Sequence, residues 1–344
     1  MRPQVTRTGA MNASTTVRTV LGTVDASALG RVLVHEHIRI RYPGQLLDPN
    51  APDENRADCV ERAVERLHEA AEHGVRTMVD PCPIELDREP ELMAEVSERS
   101  GVNVVCSTGF YFENDAIGIP FYWRARTSEE VAELYLHEIE HGIGDTGIRP
   151  GVIKIASGAP PGEHDKKVIA GAAIAARESA TPIVSHCEHS RGGDVQQAIL
   201  AEHDADLGRA VIGHQDEEAD VANLRAIAER GSFVGIDRIG SMLAPDEQRA
   251  DNVAALVAEG RADHVCLAHD SSCCFHSARF PYPLPAGSPP STAEAIHPTF
   301  SEQMTRPYTY LFDTFLPMLR DRGVSDADID QMLVVNPRRL LAGA

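Results

Sequence analysis

No run of about 18 apolar residues occurs anywhere in the chain, so no membrane-crossing helix is expected. Residues 1–14 include Arg2 and Arg7 but lack the apolar stretch of a secretory signal, and they read as a disordered lead-in, with Met11 as an alternative start. Basic side chains are scarce: 32 Lys and Arg face 52 Asp and Glu, a net charge of −20. That balance excludes the broad basic surface that nucleic acid or an anionic membrane requires. Neither a G-x-G-x-x-G fingerprint nor a Walker loop follows any apolar run, which argues against a doubly wound nucleotide-binding sheet. There is no C-x-x-C, and the seven cysteines are an odd number. Cys106, Cys187 and Cys266 lie in apolar runs, where buried thiols behave as small hydrophobes. Together with the missing signal, this points to a reducing cytoplasm. The vicinal pair Cys273–Cys274 offers two soft metal ligands, a weaker reading.

What is present is a core-forming composition, 42% hydrophobic, arranged in a repeating order. A short β-branched run is followed by a polar loop and then an amphipathic stretch. The strand candidates are 31–37, 75–80, 102–107, 150–156, 181–187, 209–214, 232–237 and 264–270. Most are nearly continuous apolar runs, as parallel strands covered on both faces require. Helices are expected at 56–73, 89–99, 128–141, 164–178, 192–203, 217–229 and 247–259. Thr127 with Glu130 forms a capping box, and Gly74, Gly101, Gly231 and Gly260 stand at helix ends. Eight strands alternating with helices predict an α/β fold, a closed (β/α)₈ barrel, occupying residues 15–344 as a single domain. Residues 275–300 read as one long loop, and two helices at 302–322 and 325–342 close the chain.

In such a barrel the chemistry sits at the carboxyl ends of the strands. There the sequence places His35 and His37, then Lys154, His186, His214 and Asp270, drawn from five strands. Alternation puts His35 and His37 on one face and Glu36 on the other. A lysine inside a strand buried on both faces must be paired or modified. Imidazoles and carboxylates suit Zn²⁺, Mn²⁺, Co²⁺ or Fe²⁺. An ammonium between two such cations would be repelled. A lysine that has taken up CO₂ as a carbamate would instead bridge them, with a bridging hydroxide as nucleophile and Asp270 as its proton acceptor.

The stretches LGRVLVHEHIRI, MVDPCPIELDRE, VVCSTGFYFE, GVIKIASG, PIVSHCEH, VIGHQDE, GSFVGIDRIG, LAHDSSC and VVNPRRLLA resemble the phosphotriesterase family, and more closely its lactonase-like branch, over roughly residues 20–343. The resemblance implies His35, His37 and Asp270 on one metal, His186 and His214 on the other, and carboxylated Lys154 between them. It also implies catalytic roles for Arg238, after the seventh strand, and Tyr111, after the third, as well as a homodimer. Glu113 stands where an aromatic is common, which predicts a more anionic pocket. Trp123 sits in the loop after strand three, and no tryptophan follows Asp270. Glu217 is a candidate proton relay. The leading expectation is a lactonase acting on acyl-homoserine or other γ/δ-lactones, with phosphotriesterase side activity. The alternatives are a dedicated phosphotriesterase, an N-acyl amide hydrolase with Arg238, Arg124 or Arg126 forming a basic pocket, and a non-catalytic small-molecule binder.

Overall fold

Eight of the apolar runs become eight parallel strands in the computed structural model, which describes residues 15–51, 55–113, 118–218, 220–275, 277–282, 284, 286–289 and 291–343. The lead-in read over residues 1–14 lies outside these. The strands are β1 (Arg31–Leu33), β2 (Val75–Asp80), β3 (Asn103–Gly109), β4 (Val152–Ser157), β5 (Ile183–Cys187), β6 (Ala210–Ile212), β7 (Phe233–Ile236) and β8 (Val265–Leu267). Each pairs with its neighbours in sequence order, β1 through β8. The ring is completed beyond the ends of β8 and β1. There the Asp270 amide donates to the His35 carbonyl (3.0 Å) and the His37 amide to the Ser271 carbonyl (2.8 Å). A short parallel pair, His37–Arg39 with Ser272–Cys274, continues that seam. The fold is a (β/α)₈ barrel.

One residue from every strand meets in a single buried cluster: a valine from each of β1 to β6, Phe233 from β7 and Cys266 from β8. This plug fills the barrel and forms the floor beneath the site. Lys154 stands two residues after Val152, and His186 two after Val184. The period-two alternation of strands therefore aims both polar side chains up the axis from the apolar layer. Gly109 pairs with Lys154, and a Cβ there would lie 2.0 Å from the Lys154 carbonyl oxygen, so only glycine lets β3 run this close to β4.

The expected helices form, including Arg56–Glu72, Ser128–His141 with its Thr127–Glu130 capping box, and Glu163–Ser179. The C-terminal third departs from expectation. A helix, Ser291–Met304, occupies the end of the segment read as loop; Pro298 inside it and the Ser- and Pro-rich lead had masked it. The closing helices begin at Leu311 rather than 302 and at Asp326, each with a π-turn. An antiparallel hairpin, Thr16–Thr19 with Gly22–Asp25, precedes the barrel. Cys59 is joined to Cys274 in a disulfide across 215 residues of sequence, a pairing for which spacing carried no signal. It removes Cys274 from the vicinal metal pair and runs against the reducing compartment that the cysteine pattern suggests. Cys106, Cys187 and Cys266 are free and buried, as expected. Among the described residues no helix is long and apolar enough to cross a membrane.

Candidate metal centre and active site

The first strand does not run through to His37. It stops at Leu33, the chain bends, and pairing resumes at His37. Glu36 turns away from the two histidines, as alternation required, and is fully buried. Its carboxylate accepts from the His269 amide (2.9 Å) and the Ser271 amide (3.2 Å) and holds His269 Nδ1 at 2.6 Å. Glu36 is thus a brace between the ends of β1 and β8. His35 and His37 are left facing the axis.

Above the valine floor the imidazoles form a row. Ring centroids are 5.6 Å apart from His37 to His35, 4.8 Å from His35 to His214, and 4.4 Å from His214 to His186. The Asp270 carboxylate stands over three of them, 3.6 Å from His35 Nε2, 3.3 Å from His37 Nε2 and 3.5 Å from His214 Nε2. Lys154 Nζ lies 3.0 Å from His35 Nε2. The structure thus gathers all six predicted residues at one end of the barrel, each at most 4% exposed except Asp270. His35, His37 and Asp270 form one of the tight donor groups able to hold a cation. His214 and Asp270 both adopt left-handed backbone, at φ 58° and 55°. That conformation costs a non-glycine residue on the order of 1 kcal/mol and is held here by the surrounding bonds.

Two carboxylates that the sequence reading passed over orient the row. Asp237, at the end of β7, accepts from His35 Nδ1 (2.8 Å) with one oxygen and from His214 Nδ1 (2.9 Å) with the other. Asp80, at the end of β2, does the same for His37 Nδ1 at 3.0 Å. Each imidazole is thereby fixed with its proton on Nδ1 and its Nε2 lone pair turned inward. His186 is held the other way: Nε2 meets Glu188 at 2.8 Å, which leaves Nδ1 available to a cation. Burial lowers the pKa of His186 to about 4 and keeps His214 well below the usual range, so both are neutral donors. Burial also lowers Lys154 to about 8. Despite its burial, hydrogen bonds to Asp270 and Asp80 hold His37 well above the usual range, so a cation there would displace its second proton. With that proton gone, the nitrogens, one anionic carboxylate and an easily deprotonated amine fit a pair of divalent cations.

Arg238 follows Asp237. Its Nε donates to Asp270 (3.1 Å), and its Nη1 lies 3.7 Å from Glu217. Its backbone is clamped from below by Asp216, whose carboxylate accepts from the amides of Asp237 and Arg238. Asp216 is paired in turn with the fully buried Arg249 at 2.9 Å, which also reaches Asp246, Ser241 and Ala244. Replacing Arg249 by methionine strands Asp216 and Asp246 without a counter-charge. It is expected to destabilise the fold by about 3–5 kcal/mol in chemical denaturation; a loss under about 1 kcal/mol would show that the clamp is dispensable.

Tyr111 leans over His186, its hydroxyl 3.5 Å from both ring nitrogens. Its amide donates to both oxygens of Glu85, at 3.2 Å each. Burial raises the Glu85 pKa to about 8 from 4.5. The folded state therefore binds a proton that the unfolded state releases between those values, so this group's contribution to stability falls as pH rises from about 4.5 to about 8. Glu85→Gln is expected to match wild type in Tm at pH 5 and to exceed it at pH 8.5; equal Tm at both would contradict the burial argument.

These side chains line a cavity of about 620 Å³ whose upper wall is apolar, built from Tyr42, Leu86, Leu243, Phe280, Tyr282 and Phe300. Several expectations for that wall are corrected. Glu113 does not line the cavity: it faces Arg124 (3.5 Å) and His164 (3.7 Å), so it adds no charge to the pocket. Arg124 and Arg126 are also outside it, engaged with the Ile119 carbonyl and the Tyr122 ring. Among the described residues of that loop, no basic side chain lines the cavity. Trp123 packs on Phe110 instead.

A (β/α)₈ barrel that collects four imidazoles, a lysine and an aspartate at its carboxyl end defines a metal-dependent hydrolase. Residues 15–341 match the phosphotriesterase family, and the chain belongs to it. It is 30% identical over 322 residues to an aryldialkylphosphatase of Saccharolobus solfataricus, covering 93% of this chain and 97% of that one. A phosphotriesterase homology protein of Mycobacterium tuberculosis is 34% identical over 340 residues, with 94% and 97% covered. The organophosphorus hydrolase from Deinococcus radiodurans superposes with a TM-score of 0.85 at 32% identity, over 97% of this chain and 99% of that one. The family uses a binuclear metal centre, and the His and Asp groups described here are able to bind metal.

Proposed function

We propose that this hydrolase opens lactones bearing an apolar chain, acyl-homoserine or other γ/δ-lactones, with slower turnover of phosphotriesters. The observation that carries the reading is the pairing of a polar floor with an apolar wall. Arg238 and Tyr111 stand beside Asp270 and His186, under a cavity of about 620 Å³ walled by aromatic and aliphatic side chains. A neutral ester with a hydrocarbon arm satisfies both halves. A solved neighbour described as built from a weak promiscuous lactonase template, with a TM-score of 0.83 at 31% identity, supports the same ranking.

His35, His37 and Asp270 would hold one divalent cation and His186 and His214 the other, with Lys154 between them as a carbamate. The buried Lys154 amine, already shifted towards neutrality, adds its nitrogen to the carbon of CO₂ and loses one proton. The pair of cations, zinc or else manganese, cobalt or iron, supplies Lewis acidity and an activated water. Asp270 accepts the proton released as water attacks the ester carbon and later returns it to the leaving alkoxide. Arg238 holds that carboxylate in line through the 3.1 Å bond. The Tyr111 hydroxyl donates to oxygen at the reacting carbon.

A dedicated phosphotriesterase is the second reading, favoured by the same neutral cavity and by the name of the Saccharolobus relative. The amide-hydrolase reading draws on N-acetyltaurine hydrolases at 24% identity, such as that of Salmo salar, but among the described lining residues the only lysine and arginine are Lys154 and Arg238, both already engaged. A homodimer acting on a small molecule, without nucleic acid or membrane and in the cytoplasm, remains part of the proposal. The test is a kcat/KM panel of alkyl lactones, paraoxon and N-acyl amino acids. Lactones are expected to lead by at least tenfold, and paraoxon matching them would overturn the ranking.

A further inference from the structure

Lactone hydrolysis turns a neutral substrate into an anion, and the cavity contains a charge arrangement suited to that difference. Among the described residues lining it, Lys154 and Arg238 are the only lysine or arginine. Lys154 Nζ is occupied at His35, and Arg238 is shared between Asp270 and Glu217. Glu188 lines the same cavity within reach of the Arg238 charge, with 30% of its side chain exposed and one oxygen 2.8 Å from His186 Nε2. Its other oxygen lies 3.7 Å from His189, which also meets Glu217 at 3.2 Å. Glu188 and Glu217 therefore form an acidic side of the same cavity whose far wall is apolar.

We propose that Glu188 is a specificity-determining residue that disfavours anionic ligands, both substrates bearing a carboxylate or sulfonate and the hydroxy acid formed by ring opening. A ligand carboxylate drawn to the cations that His186 and its neighbours would hold also faces the Glu188 carboxylate across a partly desolvated gap, where like charges repel more than in bulk water, so Glu188 offsets part of that attraction. A neutral lactone meets no such penalty. The same carboxylate positions His186 through its hydrogen bond, so charge and positioning must be separated. This inference rests on the reading that the cavity takes a neutral ester, but its test does not require turnover.

Hexanoate and its uncharged counterpart hexanamide are titrated calorimetrically into metal-loaded wild type, Glu188→Gln and Glu188→Met, with metal content and Tm measured for each. Glutamine retains an oxygen that accepts from His186; methionine retains only volume. Hexanoate is expected to bind about fivefold more tightly to Glu188→Gln than to wild type, with hexanamide changing by less than about twofold. Glu188→Met is expected to give the same difference between the two probes, whatever common shift it adds. Unchanged hexanoate affinity in Glu188→Gln, or an equal change for both probes in both variants, overturns the proposal. A protein that passes this test yet hydrolyses no lactone would sink the lactonase reading alone.

Discussion

Lys154→Ala is expected to lower kcat/KM on any ester substrate about a thousandfold, equivalent to ~4 kcal/mol of transition-state stabilisation. With both proteins stripped of metal, the same substitution is expected to leave Tm within a few degrees of wild type. Lys154 is 2% exposed and makes its hydrogen bond to His35 Nε2 at 3.0 Å, a contact between a site nitrogen and a site nitrogen. Removing the amine relieves a buried, partly charged group, and the valine layer below is untouched. Bound metal should drop below two per chain by elemental analysis, and a short carboxylic acid with CO₂-free buffer offers a chemical complement. Full activity in Lys154→Ala would falsify the bridging role.

Asp237→Ala should act through the metals rather than on the substrate. One carboxylate serves two imidazoles, with His35 Nδ1 at 2.8 Å and His214 Nδ1 at 2.9 Å, and it also accepts from the His214 amide. Those histidines would sit on different cations, so a single truncation loosens both sites. Loss of one such outer partner typically lowers metal affinity by 10–100-fold. Here the expected fall is at the upper end, about 100-fold, for both metals in competition with a chelator. The three abandoned donors, all buried, would cost on the order of 1–3 kcal/mol in addition. Asp80→Ala makes the contrast: of the four site imidazoles Asp80 holds only His37, its other bonds coming from the Ile38 and Cys82 amides, so one metal should weaken and the other persist. Equal weakening of both metals by the two variants would refute the division of labour.

The barrel was legible because its signal is collective. Eight apolar runs at regular spacing fix a fold even when individual boundaries slip, and β1 could stop at Leu33 without harm to the reading. Five of the six axial residues were legible because imidazole and ammonium are anomalous inside apolar strands, and Asp270 because the LAHDSSC stretch resembles the family's. Asp80 and Asp237 were written in the same strand ends, VRTMVD and SFVGID, but an aspartate there reads equally well as a helix cap, so composition did not separate them. The cavity wall was the least legible. Which side of a loop faces inward depends on where its ends are anchored. Glu113 was assigned to the pocket from its neighbourhood in sequence, whereas Arg124 and His164 turn it outward. The helix Ser291–Met304 was hidden for a related reason: its apolar face is set by the cavity it covers rather than by strong local preference.

The segment that carries Phe280, Tyr282 and Phe300 of that wall begins and ends at nearly one point. The Ser271 hydroxyl donates to the Arg306 carbonyl at 2.7 Å and the Ser272 hydroxyl to the Met304 carbonyl at 3.1 Å, while Cys274 is tied to Cys59. Some thirty residues thus leave and rejoin the barrel through a single gateway, like a cassette seated in a slot. Exchanging the cassette need not strain the ring of strands, because its two entry points already lie side by side. New substrate preferences can therefore be acquired by replacing one contiguous piece of chain, with the reactive end of the barrel inherited unchanged.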